Sequence, residues 1–199
     1  QAWLVCGPLP NPSTPDGRDH TKDLPGFYND YLKANGGESN LKIKAGDVVK
    51  YDEREAKWMK YATEDEIIDL TRALGQNNHV LAYGYCQVKA SKPAYYLMLL
   101  GSDDGVRVWI NGEEVWDNPV GRGVKLDQDI IPVKLNKGIN SVLLKVENGI
   151  GSWGFSVRLM PFSHAQLKGV RFFEARRAKD KKTYLFSINN YNYTKSVFK

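Results

Sequence analysis

Short segments in which apolar and polar residues alternate recur about every ten residues along the middle of the chain. The clearest is Val106–Ile110, whose three aliphatic residues fall on one face of an extended chain while Arg107 and Trp109 fall on the other. Asn111-Gly112 follows and is typical of a two-residue type I′ turn, so a β-hairpin is predicted here. Further strand-like runs lie at residues 48–51, 57–61, 66–70, 80–89, 95–100, 114–116, 130–135, 141–146 and 155–159.

The spacing of these runs, with no alternation of strands and long helices, predicts an all-β protein: an antiparallel β-sandwich of jelly-roll type with one or two short helices. One helix is predicted at residues 27–34, packed on the edge of the sandwich with Phe27, Tyr31 and Ala34 facing inward and a glycine pair ending it. The segment 65–74 is compatible with a strand or with a second helix.

Two stretches depart from this pattern. Residues 8–25 contain five of the nine prolines and predict an irregular loop, which either walls a binding site or crosses the surface between sheets. We expect residues 1–162 to form the jelly roll and residues 163–199 a basic C-terminal extension. The strand-like run 183–188 makes that extension an edge strand or the start of a linker or next domain.

Charge is unevenly distributed along the chain. The formal net charge is +5, yet residues 165–199 alone hold nine basic and two acidic side chains. The net positive charge comes from the extension and so does not make the main domain a polyanion binder, while the extension has the charge to contact phosphate, sulfate or uronate groups. Basic and aromatic residues are not interleaved on a recognisable platform, so we expect no nucleic-acid partner. We also expect no membrane span, because no apolar run reaches about 18 residues.

Cys6 and Cys86 are the only cysteines, and each lies in an apolar strand-like run. A disulfide between two strands and two buried free thiols are both compatible with that placement. The three histidines, His20, His79 and His164, are scattered and show no zinc-site spacing. The sequence begins without methionine, signal peptide or tag, from which we expect a mature secreted chain or a fragment of a larger exported protein.

Asp103 and Asp104 directly precede the Val106–Ile110 strand and are the candidate metal ligands. Calcium takes six to eight oxygen ligands, so backbone carbonyls, water and a neighbouring loop such as residues 147–149 would have to contribute. The alternative is that one aspartate caps the turn through the backbone while the other is solvated.

Trp109 is the main candidate for ligand contact, together with Arg107 and Asn111 on the same strand face. An exposed indole stacks on the C–H face of a sugar while neighbouring polar groups bond its hydroxyls. The alternative is that residues 8–25 cover this face of the sheet. Secondary candidates, beside glycine-rich loops, are Trp116 and Trp153.

The run Gly-Ser-Asp-Asp-Gly-Val-Arg-Val-Trp-Ile-Asn-Gly-Glu-Glu-Val at 101–115 resembles the motif of bacterial extracellular jelly-roll modules related to the protective-antigen-like carbohydrate-binding domain. The resemblance covers roughly residues 3–160. Further runs occur in the order expected of such modules at residues 3–8, 36–38, 137–140, 143–146 and 151–155.

The resemblance implies a noncatalytic carbohydrate-binding module of an exported, multidomain polysaccharide-processing protein, secreted or at the cell surface. In the fungal adhesin branch the paired aspartates are joined by a cis peptide and hold a calcium ion that binds sugar hydroxyls; Asp103 and Asp104 are the matching positions. The alternative is a structural or protein-interaction domain that packs against a catalytic neighbour. A polysaccharide-cleaving enzyme is least favoured, because no spacing marks a pair of catalytic carboxylates.

Overall fold

The computed structural model describes residues 2–12, 25–40 and 42–161, together with the backbone of two further strands at 170–174 and 184–188. The chain divides into a unit of Gln1–Met160 and a unit of Pro161–Lys199. Most of the predicted 8–25 loop, the side chains of the extension, His20 and His164 lie outside the described residues. No helix of the described part is long and apolar enough to cross a membrane.

The first unit is an antiparallel β-sandwich, as predicted. Its strands are β1 (Ala2–Pro10), β2 (Val48–Tyr51), β3 (Arg54–Lys57), β4 (Met59–Ala62), β5 (Ile68–Asp69), β6 (Val80–Ala90), β7 (Ala94–Asp103), β8 (Val106–Ile110), β9 (Glu113–Asn118), β10 (Asp129–Leu135), β11 (Gly138–Asn148) and β12 (Gly154–Pro161). Its helices are α1 (Pro25–Tyr28), a 3-10 turn (Lys33–Asn35) and α2 (Leu70–Leu74).

One sheet has six strands in the order β4-β1-β6-β11-β8-β9, and the other has four in the order β10-β7-β12-β5. The two-residue turn between β8 and β9 is confirmed, since Asn111 and Gly112 have φ angles of 53° and 82°. Both values are positive because only such a backbone matches the right-handed twist of the two strands.

The main core lies between the two sheets. The aliphatic face of β8, Val106, Val108 and Ile110, points into it, as the alternating pattern predicts. Inward residues of β11 and β10 and the indole of Trp153 complete the packing. All five residues of β8 are buried, however, so the opposite face of the strand is covered as well.

A second apolar cluster covers that outer face of the six-stranded sheet. Leu32, Val49 and Trp58 pack there on Trp109 and other outward residues of β6, β8 and β11. The covering residues belong to the segment 25–40 and to the β2–β3 hairpin with the residue that follows it. The sheet is therefore buried on both faces.

The helix predicted at 27–34 is wrong in extent and position. It is split into α1 and the 3-10 turn, because Asp30 Oδ1 accepts a hydrogen bond of 2.8 Å from the amide of Leu32, which favours a turn over a continuing helix. Leu32 is the buried residue, whereas Ala34 is exposed. The segment lies on the face of the sheet and not on the edge of the sandwich.

The segment 65–74 combines both of its predicted alternatives. It forms the short strand β5 and then α2, whose N-cap Asp69 accepts a hydrogen bond from the amide of Arg72 at 2.9 Å. In the second unit, β13 (Val170–Glu174) pairs antiparallel with β14 (Tyr184–Ile188), where the sequence predicts a strand at 183–188.

The two cysteines are free thiols, which is the second of the alternatives that the sequence left open. Cys6 lies opposite Tyr83 in the β1–β6 ladder and belongs to the outer cluster. Cys86 packs instead against the core between the sheets. The two side chains are on opposite faces of one sheet, which prevents a bridge between them.

Candidate functional site

The paired aspartates lie at one end of the sandwich, where the chain passes from β7 of one sheet to β8 of the other. The peptide that joins Asp103 to Asp104 is cis. The amide of Asp104 donates to the carbonyl of Glu147 at 2.7 Å, and the amide of Glu147 donates to the carbonyl of Gly105 at 2.8 Å. These bonds extend the β8–β11 ladder and place the acidic pair beside Glu147.

The Asp104 carboxylate joins two loops. Its Oδ1 accepts a hydrogen bond of 2.8 Å from the amide of Arg122, and its Oδ2 accepts one of 2.8 Å from the amide of Gly149. Both donors belong to distant parts of the chain, after β9 and after β11. Asp104 therefore connects two loops through hydrogen bonds. The sequence alternative had one aspartate capping only its own turn.

Negative charge accumulates at this end of the molecule. Burial, and secondly the charge of Asp104, raises the pKa of the Asp103 carboxyl to about 6. Burial and then Asp104 also raise the pKa of Glu147 to about 7, although a hydrogen bond from Asn11 opposes the shift. The side chain of Arg122 is directed at Ser102 and Asp129, with Nη2 to Ser102 Oγ at 2.8 Å.

The oxygen donors here suit calcium in type. Asn148 is fully buried; its Nδ2 donates to the carbonyl of Asn77, while its Oδ1 is buried without a hydrogen-bond partner among the described residues. A buried acceptor in that state is costly unless a cation or water meets it. The described residues contain no group of three or more His, Cys, Asp or Glu side chains placed to hold a metal, so amide and carbonyl oxygens would have to complete the shell.

Trp109 and Arg107 lie at a different place from the acidic pair. Only 3% of Trp109 and 4% of Arg107 is exposed, under the layer formed by residues 25–40 and the β2–β3 hairpin. The sheet face is thus covered, as the alternative interpretation held, although the described cover is not the 8–25 loop. Stacking of the Trp109 indole on a sugar would require this layer to move.

The remaining predicted ligand residues are not brought together. Asn111 is exposed at the opposite end of β8, where its Nδ2 donates to Asn140 Oδ1 at 2.8 Å. Trp116 is partly buried against the core, and Trp153 is 2% exposed inside it. Their assignment to ligand binding stays a prediction.

A buried polar cluster surrounds Glu38 and was not predicted from the sequence. Lys145 is fully buried on β11 and forms an ion pair with Glu38, which also accepts a hydrogen bond of 2.6 Å from the Tyr83 hydroxyl. Arg107 Nη1 lies 3.8 Å from Glu38 Oε2. Burial lowers the pKa of Lys145 to about 8, although Glu38 opposes the shift. The one available signal was the charged residue inside the apolar run of residues 142–146.

No family model matches the chain, and no curated protein matches it in sequence. Among solved structures it is similar to a β-glucosidase from Kluyveromyces marxianus in complex with glucose, at 13% identity and a TM-score of 0.43, over 65% of this chain and 19% of that one. It is also similar to the PA14 domain of MpAFP antifreeze protein, at 14% identity and a TM-score of 0.36, over 54% of this chain and 52% of that one. It is similar as well to a family 35 carbohydrate-binding module from Clostridium thermocellum, at 18% identity and a TM-score of 0.33, over 50% of this chain and 89% of that one.

Proposed function

We propose that this chain is a noncatalytic carbohydrate-binding module whose glycan site is organised by calcium at the Asp103–Asp104 end of the sandwich. The observation that carries the proposal is the meeting of the acidic pair, Glu147 and two loops at one end of the sandwich. The next residue along β11, Asn148, has a buried Oδ1 with no hydrogen-bond partner among the described residues. Burial, and secondly the charge of Asp104, raises the pKa of both Asp103 and Glu147, and a bound cation would offset that charge repulsion.

Calcium would be held by the carboxylates of Asp103 and Asp104 and by Asn148 Oδ1, with loop carbonyls and water. When bound, it supplies free coordination positions for the hydroxyl oxygens of a sugar. Ile150, 69% exposed on the adjacent loop, offers an apolar contact for the C–H face of the same sugar. We further propose an exported setting and a parent protein that processes polysaccharides, on the motif resemblance of residues 101–115.

Calcium binding is tested by isothermal titration of the wild-type chain, Asp103→Asn and Asp104→Asn. We expect one calcium to bind the wild type and each variant to lose at least about tenfold in affinity, since a charged oxygen ligand is removed. Asp65→Asn, on an exposed turn where the Asp65 carboxylate accepts a hydrogen bond from the Thr63 hydroxyl, is the matched control and should bind as the wild type does. Absence of a calcium signal in the wild type would contradict the calcium part of the proposal.

Glycan binding is tested on an array of neutral and acidic polysaccharides, with calcium or with a chelator. Specific binding that the chelator and Asp104→Asn abolish, and that Ile150→Ser weakens, is the expected result. Specific binding that survives the chelator would retain the carbohydrate function and exclude calcium from it. A blank array at high protein density would contradict carbohydrate binding.

A structural or protein-interaction module is the second candidate. It is favoured by the burial of the tryptophans: Trp3, Trp58, Trp109 and Trp153 are buried and Trp116 is partly buried, so no indole offers an open stacking platform. This function predicts a blank glycan array together with measurable binding to a catalytic domain of the parent protein.

A further inference from the structure

Residues 25–40, here called the strap, cross the outer face of the six-stranded sheet without joining it. The backbone hydrogen bonds of the strap are internal turns, such as Asn29 N to Gly26 O at 3.1 Å and Gly37 N to Leu32 O at 2.9 Å. Within the described residues, no backbone–backbone hydrogen bond links the strap to a strand of the sheet. Its attachment therefore depends on side chains.

Lys145 makes three polar contacts with the strap. Its ammonium donates to the carbonyl of Phe27 at 3.0 Å and to the carbonyl of Asn29 at 2.7 Å, and pairs with the carboxylate of Glu38. All three partners belong to the strap, one group near its start and one near its end. A single buried side chain of β11 thus fastens both ends of the segment to the sheet.

Neighbouring side chains of the sheet make the same kind of contact. Arg107 Nη1 donates to the carbonyl of Phe27 at 3.3 Å, and its guanidinium lies 5.2 Å from the ring centroid of Tyr28. The Tyr83 hydroxyl donates to Glu38 at 2.6 Å and accepts from the amide of Tyr31 at 3.4 Å. Phe27 and Leu32, both fully buried, add apolar contact.

The face under the strap carries two cations among its aromatic and aliphatic side chains. Arg107 lies 4.8 Å above the ring of Trp109, and Lys145 lies 5.3 Å from the ring centroid of Tyr83. When this face is uncovered its cations can be hydrated, which lowers the cost of exposing it compared with the aliphatic core between the sheets. Removing the strap therefore need not unfold the sandwich.

We infer that the strap opens and closes as a unit over the Trp109 face while both sheets remain folded, and that Lys145 is the clamp that holds it shut. Closed, the strap and the β2–β3 hairpin together cover the Trp109 face. Open, the strap uncovers the groups that it contacts, namely the two cations Arg107 and Lys145 and the Tyr83 hydroxyl. The inference is independent of calcium and of the acidic pair.

Native-state hydrogen exchange on the wild-type chain tests the separate opening. In the strap, the backbone amides of Phe27, Tyr31 and Leu32 donate hydrogen bonds to side chains. In the sheet, the amides for comparison are those of the paired central strands β6 and β11. As denaturant is added at sub-unfolding concentrations, we expect the strap amides to exchange at least about tenfold faster than the β6 and β11 amides. Equal exchange, with the same denaturant dependence, would overturn the inference.

The clamp is tested with Lys145→Met, and Lys89→Met, an exposed position on β6, is the matched control. We expect the strap of Lys145→Met to lose at least about tenfold in protection while β6 and β11 keep theirs, and Lys89→Met to match the wild type. Unchanged strap protection would exclude Lys145 as the clamp. If Lys145→Met does not fold, Glu38→Gln removes one charge of the pair and keeps an acceptor for Tyr83; it must show the same selective loss.

Discussion

Lys145 and Glu38 are buried to an extent that ionisable side chains reach only when they are paired. A buried ion pair contributes little net stability over apolar residues of similar volume, but removing one partner costs about 3–5 kcal/mol because the other charge is left uncompensated. The cluster around Glu38 therefore specifies where the strap lies more than it adds to the free energy of folding. Trp109, in contact with Arg107, is buried by the same arrangement.

Tyr83→Phe isolates one bond of this cluster. The hydroxyl donates to Glu38 Oε1 at 2.6 Å in a buried setting, so its loss is expected to lower the free energy of unfolding by about 1.5–3 kcal/mol. Tyr95→Phe is the control, because Tyr95 is 57% exposed and should unfold as the wild type does. Urea unfolding of the three proteins measures the difference, and equal midpoints for Tyr83→Phe and the wild type would contradict the bond.

At the scale of elements, the β8–β9 hairpin contacts the strap at one end and leads to the acidic pair at the other. Its turn at Asn111-Gly112 approaches the strap, since a Cβ on Gly112 would lie 1.9 Å from the carbonyl oxygen of Ser39. Its other end continues through Gly105 into the acidic pair. A hairpin predicted from local sequence is thus in contact with two regions that are distant along the chain.

Three glycine-to-alanine variants separate the cost of a positive φ from the cost of a steric clash. Gly112 combines a φ of 82° with the clash at Ser39, Gly138 has a φ of 100° and open space, and Gly123 has open space and no positive φ. We expect losses in the free energy of unfolding of about 2 kcal/mol or more at Gly112, about 1 at Gly138 and about 0 at Gly123. Chemical denaturation gives the order, and a Gly112 loss no larger than that of Gly138 would exclude the clash.

For the whole molecule, the six-stranded sheet separates two apolar clusters. Cys6 is buried on one side of the sheet, and Cys86 is partly buried on the other. Burial raises the pKa of both Cys6 and Cys86 to about 12. An unfolded chain ionises its thiols near pH 8.5, so between that value and pH 12 the unfolded state loses protons that the folded state keeps. The stability due to the two thiols is full below pH 8.5 and falls as the pH rises.

The difference in unfolding free energy between pH 8 and pH 10 measures this effect. Each thiol is expected to contribute a loss of roughly 1–2 kcal/mol over that interval. Replacing both cysteines, Cys6→Ala with Cys86→Ala, lowers stability at pH 8 but should flatten the pH dependence by the same amount. Equal slopes for the variant and the wild type would show that the folded thiols ionise as readily as the unfolded ones.

The sequence determined what depends on neighbouring residues. The period of two in Val106–Ile110 reports which side chains share a face, and Asn111-Gly112 sets the turn, because both effects act within a few residues. The sandwich followed from many such strands. The motif at Asp103-Asp104 likewise marked the end of the molecule where the loops meet, while its calcium ligation stays a prediction.

The tertiary structure decided what lies against each face. The alternation that placed Trp109 opposite the core could not say that the strap covers it, since that contact joins positions far apart in sequence. The helix predicted at 27–34 gave way to a turn because Asp30 bonds the amide of Leu32. Strand pairing brings Glu147 next to Asp104. It also sets the register of β1 and β6, which places Cys6 and Cys86 on opposite faces of the sheet. Periodicity assigns residues to faces, but register and long-range packing choose their partners.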